Sequence, residues 1–154
     1  MSRTITFEEF PGTCNLADEY IQKHSTTPAK VAVVACEGPC LRGEITRRAA
    51  NMVNFRLLPD KTVRVCFQGI VAGGCPEGAL IERATHVLFL EGCGLKCASR
   101  LVKGALDIKA KVDVVITDGL CDFDKKLFSI TELPDEEIHA QAEKVAKSIV
   151  ARLT

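Results

Sequence analysis

Eight of the 154 residues are cysteines: Cys14, Cys36, Cys40, Cys66, Cys75, Cys93, Cys97 and Cys121. Two pairs stand four positions apart, Cys36 and Cys40 in ACEGPCLRG, and Cys93 and Cys97 in EGCGLKCASR. Thiolates bind soft metal ions, attack electrophiles or pair as disulfides. In a small secreted domain an even count would suggest a disulfide framework. The first ten residues, MSRTITFEEF, are charged and lack an apolar h-region, so no signal peptide is expected. A reducing, cytoplasmic compartment is therefore expected, and cysteines crowded there point to metal or thiol chemistry.

The thiols need a scaffold, and the chain can build one. It is 47% apolar and long enough for a sizeable core, expected as a single domain over residues 1–154. No apolar run reaches the length of a membrane span. Formal net charge is zero, with Lys and Arg interspersed among Asp and Glu, which argues against nucleic acid or an anionic membrane as partner. With no Trp and one Tyr, a surface for stacking bases is not expected either. No repeat of fixed period and no low-complexity segment interrupts the chain.

Apolar runs and helical spacings alternate. VAVVAC (31–36) reads as a strand buried on both faces, and EGPCLRG as the turn after it. Ile45, Ala49, Met52 and Val53 mark the inner face of a helix, with Arg47, Arg48 and Asn51 outward. TVRVCF (62–67) is a second strand, GIVAGGCPEG a glycine-rich loop, and 77–84 a short helix. THVLFLEG is a third strand, followed by a helix from Leu95 to Leu106. VDVVIT (112–117) is the fourth strand, ended by DGLCDFD. Pro134 starts a last helix with Ile138, Ala142, Val145, Ile149 and Leu153 on one face. Strands separated by helices imply parallel pairing through right-handed crossovers. The expectation is an α/β fold: a small three-layer sandwich, with a mainly parallel sheet of about four strands and helices on both faces. Residues 1–30 form an N-terminal extension outside this rhythm, read as an edge strand and a short helix near Leu16–Lys23; residues 31–154 are the core.

Against that scaffold the cysteines fall in order. Cys36 and Cys66 end the first two strands; Cys93 and Cys121 lie just past the third and fourth. Cys40, Cys75 and Cys97 sit in the loops or first helical turns that follow. In a parallel sheet these places share one edge, where open α/β sheets build their sites. A single cysteine such as Cys14 is as well explained as a small core residue; seven along one edge are not. Such a thiol-rich edge suits Zn2+, Cu+ or an iron–sulfur cluster. Cys93 and Cys97 at a helix start can face one way, where unpaired N–H groups favour the thiolate. Gly92 and Gly94 would let the backbone approach an ion closely. His86, His139 and His24 are assigned no ligand role.

The chain resembles the DGC-domain family of small zinc-binding proteins, called after an Asp-Gly-Cys motif. VAVVACEGPCLRGEI, VCFQGIVAGG, THVLFLEGCGLKCASR and VVITDGLCDFDKKLFSITELPDEEI carry the resemblance over about residues 31–140. The family's four characteristic cysteines, thought to bind zinc, match Cys36, Cys66, Cys93 and Cys97. The motif's aspartate is Glu91 here, expected to cap the helix or orient a ligand. Cys40, Cys75 and Cys121 exceed the family pattern and are expected as accessory thiols or a second site. Cys75-Pro76 is a pairing also found in ferredoxin-type sites, which keeps an iron–sulfur cluster or sulfur transfer as an alternative. The resemblance implies a zinc ion as cofactor and partner, and no established reaction.

Two other chemistries compete. Cys36-Glu-Gly-Pro-Cys-Leu-Arg42 resembles the loop of low-molecular-weight phosphatases and thiol-dependent arsenate reductases. Cys36 would be the nucleophile, Arg42 would grip an oxyanion, and Asp118 or Asp122 would be the general acid. Gly43 stands where those enzymes carry Ser or Thr. Redox chemistry through the pairs Cys36/Cys40 and Cys93/Cys97 is the other.

Overall fold

The computed structural model describes residues 4–8, 11–25, 28 and 30–154. The first element is α1 (Asn15–Ser25), and no strand forms among the described residues of 1–30; the rest of that segment lies outside the described residues. The alternation follows: β1 (Val31–Ala35), α2 (Leu41–Met52), β2 (Thr62–Val65), α3 (Phe67–Ala72), α4 (Gly78–Arg83), β3 (His86–Glu91), α5 (Cys97–Ala105), β4 (Lys111–Ile116) and α6 (Asp135–Leu153). Among the described residues no helix is long and apolar enough to cross a membrane.

The four strands are parallel, in the order β2-β1-β3-β4. Side chains alternate between faces of a strand, so each apolar run feeds two cores. Val33, Ala35, Leu88 and Leu90 pack with Ile45, Ala49 and Val53 of α2 and its extension, and with Ile138, Ala142, Val145 and Ile149 of α6. Ala32, Val34, Val87 and Phe89 point the other way, against Leu80, Ile81, Ala98 and Val102 of α4 and α5. Phe89, Leu41, Ile45 and Leu90 are fully buried, each contributing about 1.5–3 kcal/mol of transfer free energy. This is the three-layer α/β sandwich expected.

Three local outcomes differ from the periodicity. The helix after β1 runs on as a π-helical turn, Val53–Leu57, closed by Leu58 N–H to the Val53 carbonyl. GIVAGGCPEG is not all loop: its first residues lie in α3, where the missing side chain of Gly69 leaves room for Cys75. The second strand stops at Val65, and Cys66 is the residue that leads into α3. At the sheet's edge Tyr20 of α1 accepts the Arg64 backbone N–H at 3.0 Å, which covers a strand edge otherwise left bare.

Candidate functional site

The strand order reverses between β1 and β3. From β1 the chain leaves into α2 on one face, and from β3 into α5 on the other, so their loops diverge over a crevice. Ala35 pairs with Leu90, and the Cys36 N–H extends the ladder to the Leu90 carbonyl at 2.8 Å. Cys36 and Glu91 thus follow side by side at the strand tips. Cys36 is half-buried, and the Gly38 and Gly92 backbone N–H groups point at its sulfur. Burial pushes this thiol above its usual pKa; the two N–H donors oppose that rise, and nearby Glu91 and Cys40 add to it.

Two glycines make the crevice this tight. A Cβ on Gly43 would sit 2.1 Å from the Gly38 carbonyl oxygen, so the 36–40 loop can fold over the first turn of α2 only because nothing is there. A Cβ on Gly92 would lie 3.0 Å from the Arg42 carbonyl carbon, bringing the β3–α5 loop against the same turn. Below, the Thr46 hydroxyl lies 2.6 Å from the Arg42 carbonyl and the Thr117 hydroxyl 3.1 Å from the Glu91 carbonyl. The two hydroxyls are 2.5 Å apart; one donates to the other, which donates to its own carbonyl, so the pair links α2 to the end of β4 beside β3.

Glu91 is 1% exposed. Its carboxylate reaches over the start of α5 and accepts from Ser99 N–H at 2.6 Å and Ala98 N–H at 3.4 Å. The helix needs this. Lys96, at its N-cap, has φ 53° and supplies no side-chain cap. A buried acid on the preceding strand takes the place of the missing cap and meets the positive end of the helix.

The remaining expected residues fall in different places. Cys93 is half-buried in the loop after Gly92, and Cys97 is the exposed first residue of α5. Cys40 is the N-cap of α2, half-buried and bridged to Ser129. Cys66 is exposed on the other flank of β1, and Cys75 lies beside it, half-buried, its thiol pushed up to about 11 by desolvation. Cys121 is not at the surface at all. It is 7% exposed, packed among Val115, Phe123 and Ala142, and its sulfur donates to the Thr117 carbonyl at 3.2 Å. Burial pushes it up to about 11, the behaviour of a core thiol.

All eight thiols are free, and among the described residues no three His, Cys, Asp or Glu side chains converge to hold a metal ion. Soft donors are present in number; a closed tetrahedron is not preformed. Cys14, set aside on sequence grounds, lines a cavity of about 460 Å3 together with Cys66 and Cys75. Only the packing of α1 could have shown this, since Cys14 is far from both in the chain.

The phosphatase-like reading meets a plain obstacle. Arg42 donates to the Leu127 carbonyl at 2.8 Å and the Lys125 carbonyl at 2.7 Å, pairs with Asp118 at 3.0 Å and stacks over Phe123. Its guanidinium is a strut between α2 and the 118–128 loop, so it does not face an oxyanion above Cys36. Asp118 is spent on the same pair. Lys144 beside Asp122 holds that carboxyl below its usual range, the wrong direction for a general acid.

A family model described as the DGC domain matches residues 32–145. No curated protein and no solved structure matches the chain.

Proposed function

The chain belongs to the DGC domain family, and from that premise we propose that it is a zinc-binding protein whose ligands are cysteine thiolates at the C-terminal edge of the sheet. The ligands in this reading are Cys36, Cys66, Cys93 and Cys97. One observation carries it: free thiols gather along one sheet edge, and at its switch point two backbone N–H groups converge on the sulfur of Cys36. Those donors oppose the rise in pKa that burial imposes on Cys36, and to that extent favour the thiolate, which is the form that coordinates. Glu91 supports the reading by fixing the start of α5, the turn that carries Cys97.

The four thiols come from three loops, so the ion would couple those loops to one another, and affinity would include the work of drawing them in. A closed shell of four thiolates gives a structural or metal-storing site; one displaceable ligand would add Lewis-acid chemistry. A cytoplasmic, reducing location belongs to the same reading, because the ligands have to stay reduced.

Metal analysis of anaerobically purified protein, with an optical spectrum, tests it. A colourless protein with about one zinc per chain is the expected result, as a single tetrathiolate shell requires. Cys36→Ser should then lower the zinc content, whereas Cys121→Ser should not. Brown protein holding iron and sulfide, or protein that takes up no zinc from an equimolar solution, overturns it.

A further inference from the structure

A second thiol grouping lies outside the crevice, on the far flank of β1. Cys66 leads into α3, and Gly69 follows three residues later on the same side of that turn. The helix ends at Gly73, whose φ of 76° turns the chain back on itself. The Cys75 N–H then donates to the Gly69 carbonyl at 3.2 Å. A Cβ on Gly69 would be 2.3 Å from the Cβ of Cys75, so Cys75 occupies the space a side chain at 69 would fill. From that one point the Cys75 sulfur is 3.2 Å away and the Cys66 sulfur 3.6 Å. Two free thiols thus lie against the one position that glycine leaves without a side chain, with Cys75 filling it. The cavity of about 460 Å3, walled by Leu16, Tyr20 and Phe55, opens onto both.

We propose that Cys66 and Cys75 are a dithiol–disulfide pair that exchanges with a low-molecular-weight disulfide entering this cavity. Cys66 is the exposed member and takes the first step. Its thiolate, having given its proton to water, attacks one sulfur of the incoming disulfide. A Cys66 mixed disulfide forms and one small thiolate leaves. Cys75, the half-buried member, then attacks the Cys66 sulfur and loses its own proton to solvent. The Cys66–Cys75 bond forms and the second small thiolate leaves. The protein gives up two electrons and two protons, and one small disulfide becomes two small thiols. The pairing stands on the geometry alone. Its consequence for zinc, loss of Cys66 as a ligand, rests on the reading above.

The test is exchange of the full-length reduced protein against oxidised glutathione, quenched by acid and alkylation and mapped on non-reduced peptides. The expected first intramolecular link is Cys66–Cys75, and Cys75→Ser should halt the reaction at glutathione on Cys66. Gly69→Ala should leave alkylation of Cys66 unchanged. It should slow ring closure about tenfold or more, because an ångström of misplacement costs that much in an intramolecular step. A first link between Cys36 and Cys40, between Cys93 and Cys97, or to Cys14 overturns the proposal, as does accumulation of mixed disulfides without any ring. Zinc content followed in the same samples separates the two ideas. Zinc retained after Cys66–Cys75 forms refutes Cys66 as ligand and leaves the pair standing.

Discussion

Glu91→Gln isolates the charge of a buried cap from its volume. The two side chains are nearly isosteric, so the packing beneath α5 survives. What changes is the acceptor. The carboxylate serves Ser99 N–H at 2.6 Å and Ala98 N–H at 3.4 Å. A glutamine can offer its carbonyl to one of them, and its amide N–H2 then meets the other donor to donor. A hydrogen bond to a charged group is worth about 1.5–3 kcal/mol and a neutral one about 0.5–1.5, so the exchange costs about 1–1.5 kcal/mol. Lost attraction to the helix N-terminus adds about 0.5 kcal/mol. The sum is about 2 kcal/mol, or a fall in Tm of about 4–8 °C for a chain of this size. Glu91→Ala should cost more, about 3–4 kcal/mol, since it also leaves a void and two buried N–H groups unpaired. Thermal unfolding of reduced, metal-free protein measures both, and hydrogen exchange at the Ser99 amide reports the cap directly. A Gln variant within about 0.5 kcal/mol of the parent, the range of an ordinary surface change, would refute the capping argument. So would a Gln variant as damaged as the Ala one, which would put the effect in shape rather than charge.

Three further substitutions probe the same region. Gly43→Ala places a Cβ 2.1 Å from backbone oxygen, where no rotamer can relieve it, and should cost about 3 kcal/mol with faster alkylation of Cys36; Gly94→Ala, with nothing within 4 Å, is the control and should be neutral. Denaturant titration decides, and equal effects at the two sites would sink the close-approach argument. Arg42→Gln removes the strut on the Lys125 and Leu127 carbonyls and should cost about 2–3 kcal/mol. Limited proteolysis should then cut the 118–128 loop first; an unchanged digest would show that the strut is idle. In timed labelling of the native protein with a thiol reagent, Cys121 should be the last of the eight to react, being buried and raised to about 11. Labelling as fast as at exposed Cys66 would contradict its place in the core.

Much of the scaffold could be read from periodicity. VAVVA and VLFL are unbroken apolar runs because both faces of a central parallel strand are covered, and they became β1 and the middle of β3. The spacing of Ile138, Ala142, Val145 and Ile149 could serve only one buried helical face. Parallel pairing then placed the strand-following cysteines along one edge without any knowledge of side-chain positions.

Which of those thiols meet was beyond such reading. Periodicity reports which side of a strand or helix a residue faces. It says nothing of how a turn aims it, and every cysteine of interest sits in a turn. Cys121 left the edge because the chain after β4 folds down onto α6. Cys14 joined Cys66 and Cys75 because α1 packs against the β2 side of the sheet. Arg42 turned from the Cys36 loop to the carbonyls of a segment more than eighty residues away. GIVAGGCPEG looked like a loop on glycine content, yet Gly69 sits in a helix, its missing side chain being the room that Cys75 fills. Local spacing settles the elements because their hydrogen bonds and faces repeat within a few residues. The grouping of thiols is set by contacts between loops distant in the chain, and those exist only once the two cores have closed around the sheet.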